Sequence, residues 1–161
     1  MSERHRLEGR KLLIVDDEPD VIETLKEVLK GCDVRGATSF EEGEKLLKRE
    51  HFDIAILDIM GVNGYELLEI AKRRNTISVM LTAHAFSPEH AVKSFKMGAA
   101  SYIPKEEIEG IESFLEDILE AQEKGKHFWW RWLDRLAAVF EKNFGEEWQK
   151  TDRDFWKTFL Q

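Results

Sequence analysis

The sequence predicts a doubly wound α/β fold, with five parallel strands alternating with five helices and a helical extension after them. Three observations carry this. Short apolar runs recur, and the central ones are near-continuous, as strands are when both faces of a parallel sheet are covered. Segments with helical spacing lie between them, and such alternation places helices on both faces. The aromatic residues are uneven: residues 126–161 hold 10 of the 17, including all five tryptophans.

The strands are Leu12-Leu13-Ile14-Val15, a polar edge strand Cys32-Asp33-Val34-Arg35-Gly36, Ile54-Ala55-Ile56-Leu57, the run Ile77 to Leu81, and the weaker Ala99-Ala100-Ser101-Tyr102-Ile103. The first helix carries Val21, Ile22, Leu25, Val28 and Leu29, and Gly31 stops it. Ser39 opens the second, with Glu42 completing a capping box. Asn63 opens the third. Ser87-Pro88 opens the fourth, with serine as cap and proline at the first helical position, and Gly98 ends it. The fifth runs from about Glu106 to Lys124.

The extension reads as two amphipathic helices. Trp129, Trp132, Leu133, Leu136, Ala137, Phe140 and Phe144 share one stripe. Asn143 and Gly145 stop that helix, and Thr151 with Asp154 caps a second one carrying Phe155, Trp156, Phe159 and Leu160. The expected organisation is a tail at 1–9, a domain at 10–124 and the extension at 125–161. Trp129, Trp132, Leu136, Phe140, Trp148 and Trp156 are candidate interface residues, since tryptophan-rich patches suit binding hot spots. The extension either packs on its own domain or forms an interface, with a homodimer or with a target protein.

Composition narrows the function. The chain of 161 residues is 42% apolar and 35% charged, as in ordinary globular proteins. Its one cysteine, Cys32, allows neither an internal disulfide nor a zinc knuckle and reads as a small buried apolar residue. No run reaches the ~18 apolar residues of a membrane span, and the polar start lacks a signal-peptide core. A cytoplasmic protein is expected. A net charge of −8 argues against nucleic acid as partner. His5, His51, His90 and His127 show no ligand spacing and read as solvated.

In open parallel sheets, ligands bind outside the carboxyl ends of the strands. Asp16-Asp17 follows the first strand, Asp58 the third, Thr82 the fourth and Lys105 the fifth. Each alone has an ordinary explanation, for aspartate often forms turns or caps helices. Together they bring three carboxylates, a hydroxyl and an ammonium to one rim. Unshielded carboxylates in a crevice repel. A hard divalent cation relieves this, and Mg²⁺ suits an oxygen site with few carboxylates, leaving positions for phosphoryl oxygens. Lysine and threonine then serve a phosphoryl group, and one carboxylate is free to attack it and form an acyl phosphate.

This constellation resembles the receiver domain of two-component response regulators, over roughly residues 10–124. Val15-Asp16-Asp17-Glu18, Leu57-Asp58-Ile59-Met60, Leu81-Thr82-Ala83 and Tyr102-Ile103-Pro104-Lys105 carry the likeness. It implies a flavodoxin-like sheet of strand order 2-1-3-4-5. It also implies Asp58 as phosphoacceptor, with Mg²⁺ held by Asp17 directly, by Asp16 through water, by Asp58, and by the backbone carbonyl of Met60. Thr82 and Tyr102 would be the switch pair, and small Ala83 would leave room for the phosphoryl group that Lys105 contacts. A sensor histidine kinase or phosphotransfer protein would be the donor, with a downstream protein target beyond it. Bulky Met60 gives no help to an attacking water, so a long-lived acyl phosphate is expected, with no turnover beyond slow self-dephosphorylation. The rival reading is a phosphorylation-independent scaffold acting through the aromatic tail.

Two departures stand out. The Asp58-to-Gly64 segment is about two residues shorter than usual for such domains, so its loop is tight. Glu106 replaces the proline that usually follows the lysine, leaving the Lys105–Glu106 bond either trans or strained cis. Two other chemistries are excluded. A haloacid-dehalogenase-like phosphatase needs an aspartate where Met60 stands, and no glycine-rich phosphate loop is present.

Overall fold

The computed structural model describes residues 6–83 and 87–124, together with 137, 140–142, 144, 145, 148, 155 and 156. Five strands form one parallel sheet: β1 (Lys11–Val15), β2 (Asp33–Ala37), β3 (Ile54–Asp58), β4 (Ile77–Thr82) and β5 (Ser101–Pro104). Their order is β2-β1-β3-β4-β5, as the sequence predicts. The helices are α1 (Pro19–Val28), α2 (Phe40–Arg49), α3 (Gly64–Arg73), α4 (Pro88–Lys96) and α5 (Ile111–Lys124).

The apolar runs explain the sheet. Every residue of β3 is buried, and in β1 and β4 only the first residue is half-exposed. Polar β2 lies at the edge, where exposure costs its charged residues nothing. The sheet winds in opposite directions from β1 and β3, so their carboxyl ends border the crevice of such folds.

The caps form largely as read. Ser39 Oγ accepts from the Glu42 amide at 3.2 Å, but Glu42 reaches back to the amide of Thr38, not Ser39, at 2.9 Å. Ser87 Oγ accepts from the His90 amide at 3.1 Å. Asn63 precedes α3 but caps it by conformation alone: its φ is 56°, and its side chain makes no cap hydrogen bond. The turn from α3 to β4 is equally short, with Asn75 left-handed at φ 58°.

Four expectations need correction. The fifth helix does not begin at Glu106. A 3-10 turn occupies Lys105–Gly110, and α5 starts at Ile111, because Gly110 interrupts the α-helical run. Residues 6–9 are no loose tail: Leu7 is buried in the core, and Arg6 pairs with Glu123 at 2.8 Å. Cys32 is half-buried and donates weakly to the Leu7 carbonyl at 3.3 Å. Burial, with help from Glu112 and Glu116, pushes its thiol up to about 11, so it is an inert thiol. His90 is not solvated: its Nδ1 lies 2.8 Å from the Tyr65 hydroxyl, joining α4 to α3.

In the extension, Phe140, Trp148 and Trp156 are buried. The rings of Phe140 and Trp148 stack with centroids 4.8 Å apart, and Trp156 meets Trp148 edge-on at 5.0 Å. Phe155 stacks on Phe95 of α4 at 6.4 Å, and Lys96 Nζ lies 5.9 Å from the Phe155 ring centre. Among the described residues of the extension, Phe155 is thus the one that docks on α4. Gly145, with φ 83° and its amide bonded to the Glu141 carbonyl at 2.9 Å, ends the first stretch as predicted. Trp129, Trp132 and Leu136 lie outside the described residues. Among the described residues no helix is long and apolar enough to cross a membrane.

Candidate functional site

The site stands at the carboxyl end of the sheet, because its residues are the last of their strands or the first beyond them. Asp16 follows β1, and its amide donates to the Ala37 carbonyl at 3.0 Å, so the backbone stays in sheet geometry one residue further. Asp58 ends β3, opposite Leu81 of β4. Thr82 ends β4 opposite Pro104, and Lys105 opens the 3-10 turn after β5.

The charges converge. Asp16 is fully buried, Asp58 nearly so, and the Lys105 side chain is 12% exposed. Lys105 Nζ lies 3.0 and 3.2 Å from the Asp16 carboxylate oxygens, 2.7 Å from Glu18 Oε1 and 3.6 Å from Asp58 Oδ2. Asp16 Oδ1 also accepts the Glu18 amide at 2.9 Å. Asp16 Oδ2 takes no hydrogen bond, for the ammonium approaches it off the hydrogen-bonding direction. The Asp17 and Asp58 carboxylates lie side by side over Gly61.

These neighbours shift the acids. Desolvation, then the Asp16 charge and, more weakly, Asp17, push the Asp58 carboxyl up to about 6, against a smaller pull from Lys105. Desolvation raises Asp16 as well. Lys105 is pulled down by burial, but Glu18, Asp16 and Asp58 together outweigh this and hold it above its ordinary value. The rim is thus short of positive charge.

Two glycines shape the tight loop. A Cβ on Gly61 would collide with the carboxylates of both Asp17 and Asp58, so these oxygens lie directly over its backbone. A Cβ on Gly64 would strike the Asp58 carbonyl and stand 2.8 Å from Ile59 Cα. The loop closes with the Gly64 amide on the Ile59 carbonyl at 3.0 Å, buries Ile59 and Val62, and leaves Met60 64% exposed.

A hard cation fits this donor set. Asp16, Asp17 and Glu18 each offer an oxygen within 4.8 Å of the others, all donors are oxygens, and one buried oxygen of Asp16 lacks a hydrogen-bond donor. Glu18 stands in this trio where the sequence places Asp58, but Lys105 engages its Oε1 at 2.7 Å, and the carboxylate oxygens of Asp17 and Asp58 lie together over Gly61, so Asp16, Asp17 and Asp58 are the donors left for a cation.

Thr82 and Tyr102, the pair expected to switch, are both buried. Thr82 ends β4, with exposed Ala83 next to it. Tyr102 is wholly enclosed, and its hydroxyl accepts the Ser87 amide at 2.8 Å and donates to the Ser87 carbonyl at 3.3 Å. Desolvation holds this phenol well above its ordinary value. The Lys105–Glu106 bond is trans, as are all described peptide bonds.

Residues 12–116 match the model of the response regulator receiver domain. The chain belongs to the response regulator receiver family. It is a receiver domain of two-component signalling, with the family's fold. A receiver domain protein (CheY-like) from Methanospirillum hungatei JF-1 superposes with a TM-score of 0.65 at 31% identity, over 73% of this chain and 98% of that one. A putative response regulator from Chloroflexus aurantiacus J-10-fl does so with a TM-score of 0.62 at 30% identity, over 70% and 99%. The response regulator protein PilR of Pseudomonas aeruginosa is 35% identical over 102 residues, which are 60% of this chain and 23% of PilR. The transcriptional activator protein PfeR of the same organism is 33% identical over 99 residues, 59% of this chain and 32% of PfeR. The chain thus spans well under half the length of these curated relatives.

The receiver brings Asp16, Asp17, Asp58 and Lys105 together as the sequence reading required. That reading missed Glu18, Gly61 and Ser87. Glu18 is legible in the sequence as the third acid of one run, and Ser87 only as a helix cap.

Proposed function

We propose that this receiver is a phosphorylation-dependent switch whose acceptor is Asp58, served by a histidine kinase or phosphotransfer protein. The observation that carries the reading is a nearly buried carboxylate at the end of a central strand, crowded by two further aspartates and with Lys105 3.6 Å away. An Asp58 carboxylate oxygen attacks phosphorus, the P–N bond of the phosphohistidine breaks, and its electron pair leaves on the imidazole nitrogen. Asp16, Asp17 and Asp58, with the Met60 carbonyl, are the residues that would hold Mg²⁺, which supplies positive charge against the carboxylates and the phosphoryl oxygens. Lys105 contacts the phosphoryl oxygens, and Thr82 offers them a hydroxyl. The acyl phosphate is lost slowly by self-hydrolysis, and the chain turns over no other substrate.

The output of this switch is the tail. Tyr102 grips Ser87 at the start of α4, and α4 carries Phe95 and Lys96 beneath Phe155. A change at Thr82 and Tyr102 loosens α4 and, with it, the docked aromatic cluster, which then meets a downstream protein. The protein works in the cytoplasm, without a DNA-binding output in these residues.

Beryllium fluoride mimics the acyl phosphate, and the DrrB receiver domain, 27% identical to this chain, has been solved in a BeF3-activated form. All five tryptophans lie between 129 and 156, so their emission reports the tail. Mg²⁺ with beryllium fluoride shifts that emission in the wild type and leaves Asp58→Asn unchanged. Radiolabel incorporation from a small phosphodonor, absent in Asp58→Asn, tests the acceptor directly. A wild type that takes up neither reagent is the phosphorylation-independent scaffold.

A further inference from the structure

The shortest contact of Lys105 is with a residue the proposed chemistry does not use. Its ammonium is 2.7 Å from Glu18 Oε1, closer than to either oxygen of Asp16 or to Asp58. Glu18 is the N-cap residue of α1, yet its side chain makes no capping hydrogen bond. Its amide is fixed on Asp16 Oδ1 at 2.9 Å, which orients the backbone while the side chain reaches across to the start of the 3-10 turn.

We propose that Glu18 is a positioning residue that holds Lys105 back from Asp58 and is exchanged for the phosphoryl group on activation. The proposal rests on the reading of Asp58 as acceptor. An ammonium has three N–H donors, and here three carboxylates surround them. To serve phosphoryl oxygens, Lys105 gives up one partner. Asp16 is fully buried and cannot be rehydrated, whereas the Glu18 side chain is 56% exposed, and water takes over its oxygens without cost. Glu18 is therefore the partner released. Its hold is a restraint on the resting state, and removing it favours the activated one. An ion pair this exposed is weak, so the effect is about two- to five-fold.

The test uses the full chain and ¹⁹F NMR of bound beryllium fluoride, which reads the site and not the tail, in Mg²⁺. Glu18→Gln lowers the half-saturating beryllium fluoride concentration by about two- to five-fold. Glu18→Asp keeps the charge but falls short of Lys105, and it lowers the half-saturation likewise. Asp20→Asn, an equal charge change on exposed α1, leaves the wild-type value. Mg²⁺ affinity, titrated alone, is the same in Glu18→Asp and the wild type. If Glu18→Asp behaves as wild type while Asp20→Asn matches Glu18→Gln, the effect is net charge and the proposal falls. Loss of Mg²⁺ affinity in Glu18→Asp makes Glu18 a metal ligand and overturns it as well. A second readout needs no acceptor: hydrogen exchange of the Lys105 ammonium, followed by ¹⁵N NMR, is slow in the wild type and faster in Glu18→Gln. Equal exchange rates overturn the hold itself. Absence of beryllium fluoride uptake in the wild type, with the exchange difference intact, overturns the Asp58 reading instead.

Discussion

The rim and the tail are both buried clusters, but they are held together for opposite reasons. In the tail, Phe140, Trp148 and Trp156 enclose one another, and each contact contributes favourably: burial of apolar area, and about 0.5–1.5 kcal/mol for each well-placed ring pair. At the rim, Asp16, Asp17 and Asp58 are placed together by the strands that carry them, and their mutual charge opposes folding. The backbone imposes the rim, whereas side-chain affinity builds the tail. A cluster that costs stability and is nonetheless assembled by separate strand ends is the one to which the proposed function is given. One that contributes stability can be read as either function or packing.

The largest way to break this contrast is in the tail. Trp156→Ala costs about 3–5 kcal/mol where the cluster unfolds, seen by thermal melting. Uptake of Mg²⁺ and beryllium fluoride at the rim survives, because the ring is held by Trp148 and Phe155 of the tail itself. Loss of rim binding in this variant would join the two clusters into one.

Next comes Asp58 itself, with the opposite sign. Its carboxyl titrates at about 6 in the fold against 3.8 when free. The folded state therefore binds the extra proton between these values, and the stability this contributes is present below pH ~4 and lost as pH rises through about 6. The loss amounts to about 3 kcal/mol. Asp58→Asn removes it, so in chelator at pH 7.5 the variant melts above the wild type by up to about that amount. The pH dependence of stability between 4 and 6 flattens accordingly. Mg²⁺ closes the gap by stabilising the wild type more than the variant.

A smaller change sharpens the geometry. Gly61→Ala pushes a methyl between the Asp17 and Asp58 carboxylates, a strain of about 1–3 kcal/mol. Beryllium fluoride affinity, measured by titration, falls roughly ten-fold or more, while the tail emission of the resting protein is unchanged.

Tyr102→Phe is the mildest and tests the connection between clusters. It removes the hydroxyl that serves both backbone groups of Ser87, at a cost of about 1–2 kcal/mol. The variant still takes up beryllium fluoride by ¹⁹F NMR, but the tryptophan shift that accompanies uptake shrinks or disappears.

The sequence made the sheet legible because its central strands are wholly buried and so read as unbroken apolar runs. The rim was legible for the same reason: each acid stands where such a run stops. What sequence could not show is contact made through space. Glu18 and Lys105 lie 87 positions apart and meet only because β1 and β5 deliver the two ends of the crevice. His90 gave no sign of its partner, since Tyr65 sits on a different helix. Gly61 reads in sequence as an ordinary loop residue, and only the fold sets two carboxylates above it. Nor could spacing show where the fifth helix begins, because 3-10 and α-helical turns differ by less than one residue per turn.

The Tyr102 hydroxyl meets both backbone groups of Ser87, and in doing so it makes a mechanical coupling. One oxygen is loaded from two directions. Any displacement of Ser87 relative to β5 strains both bonds at once. The helix is therefore geared to the sheet through one oxygen, and on the proposed switch it is released only when the phenol itself turns. A graded occupancy of the rim would emerge at the far end of α4 as a fraction of molecules fully released, a digital signal read by counting.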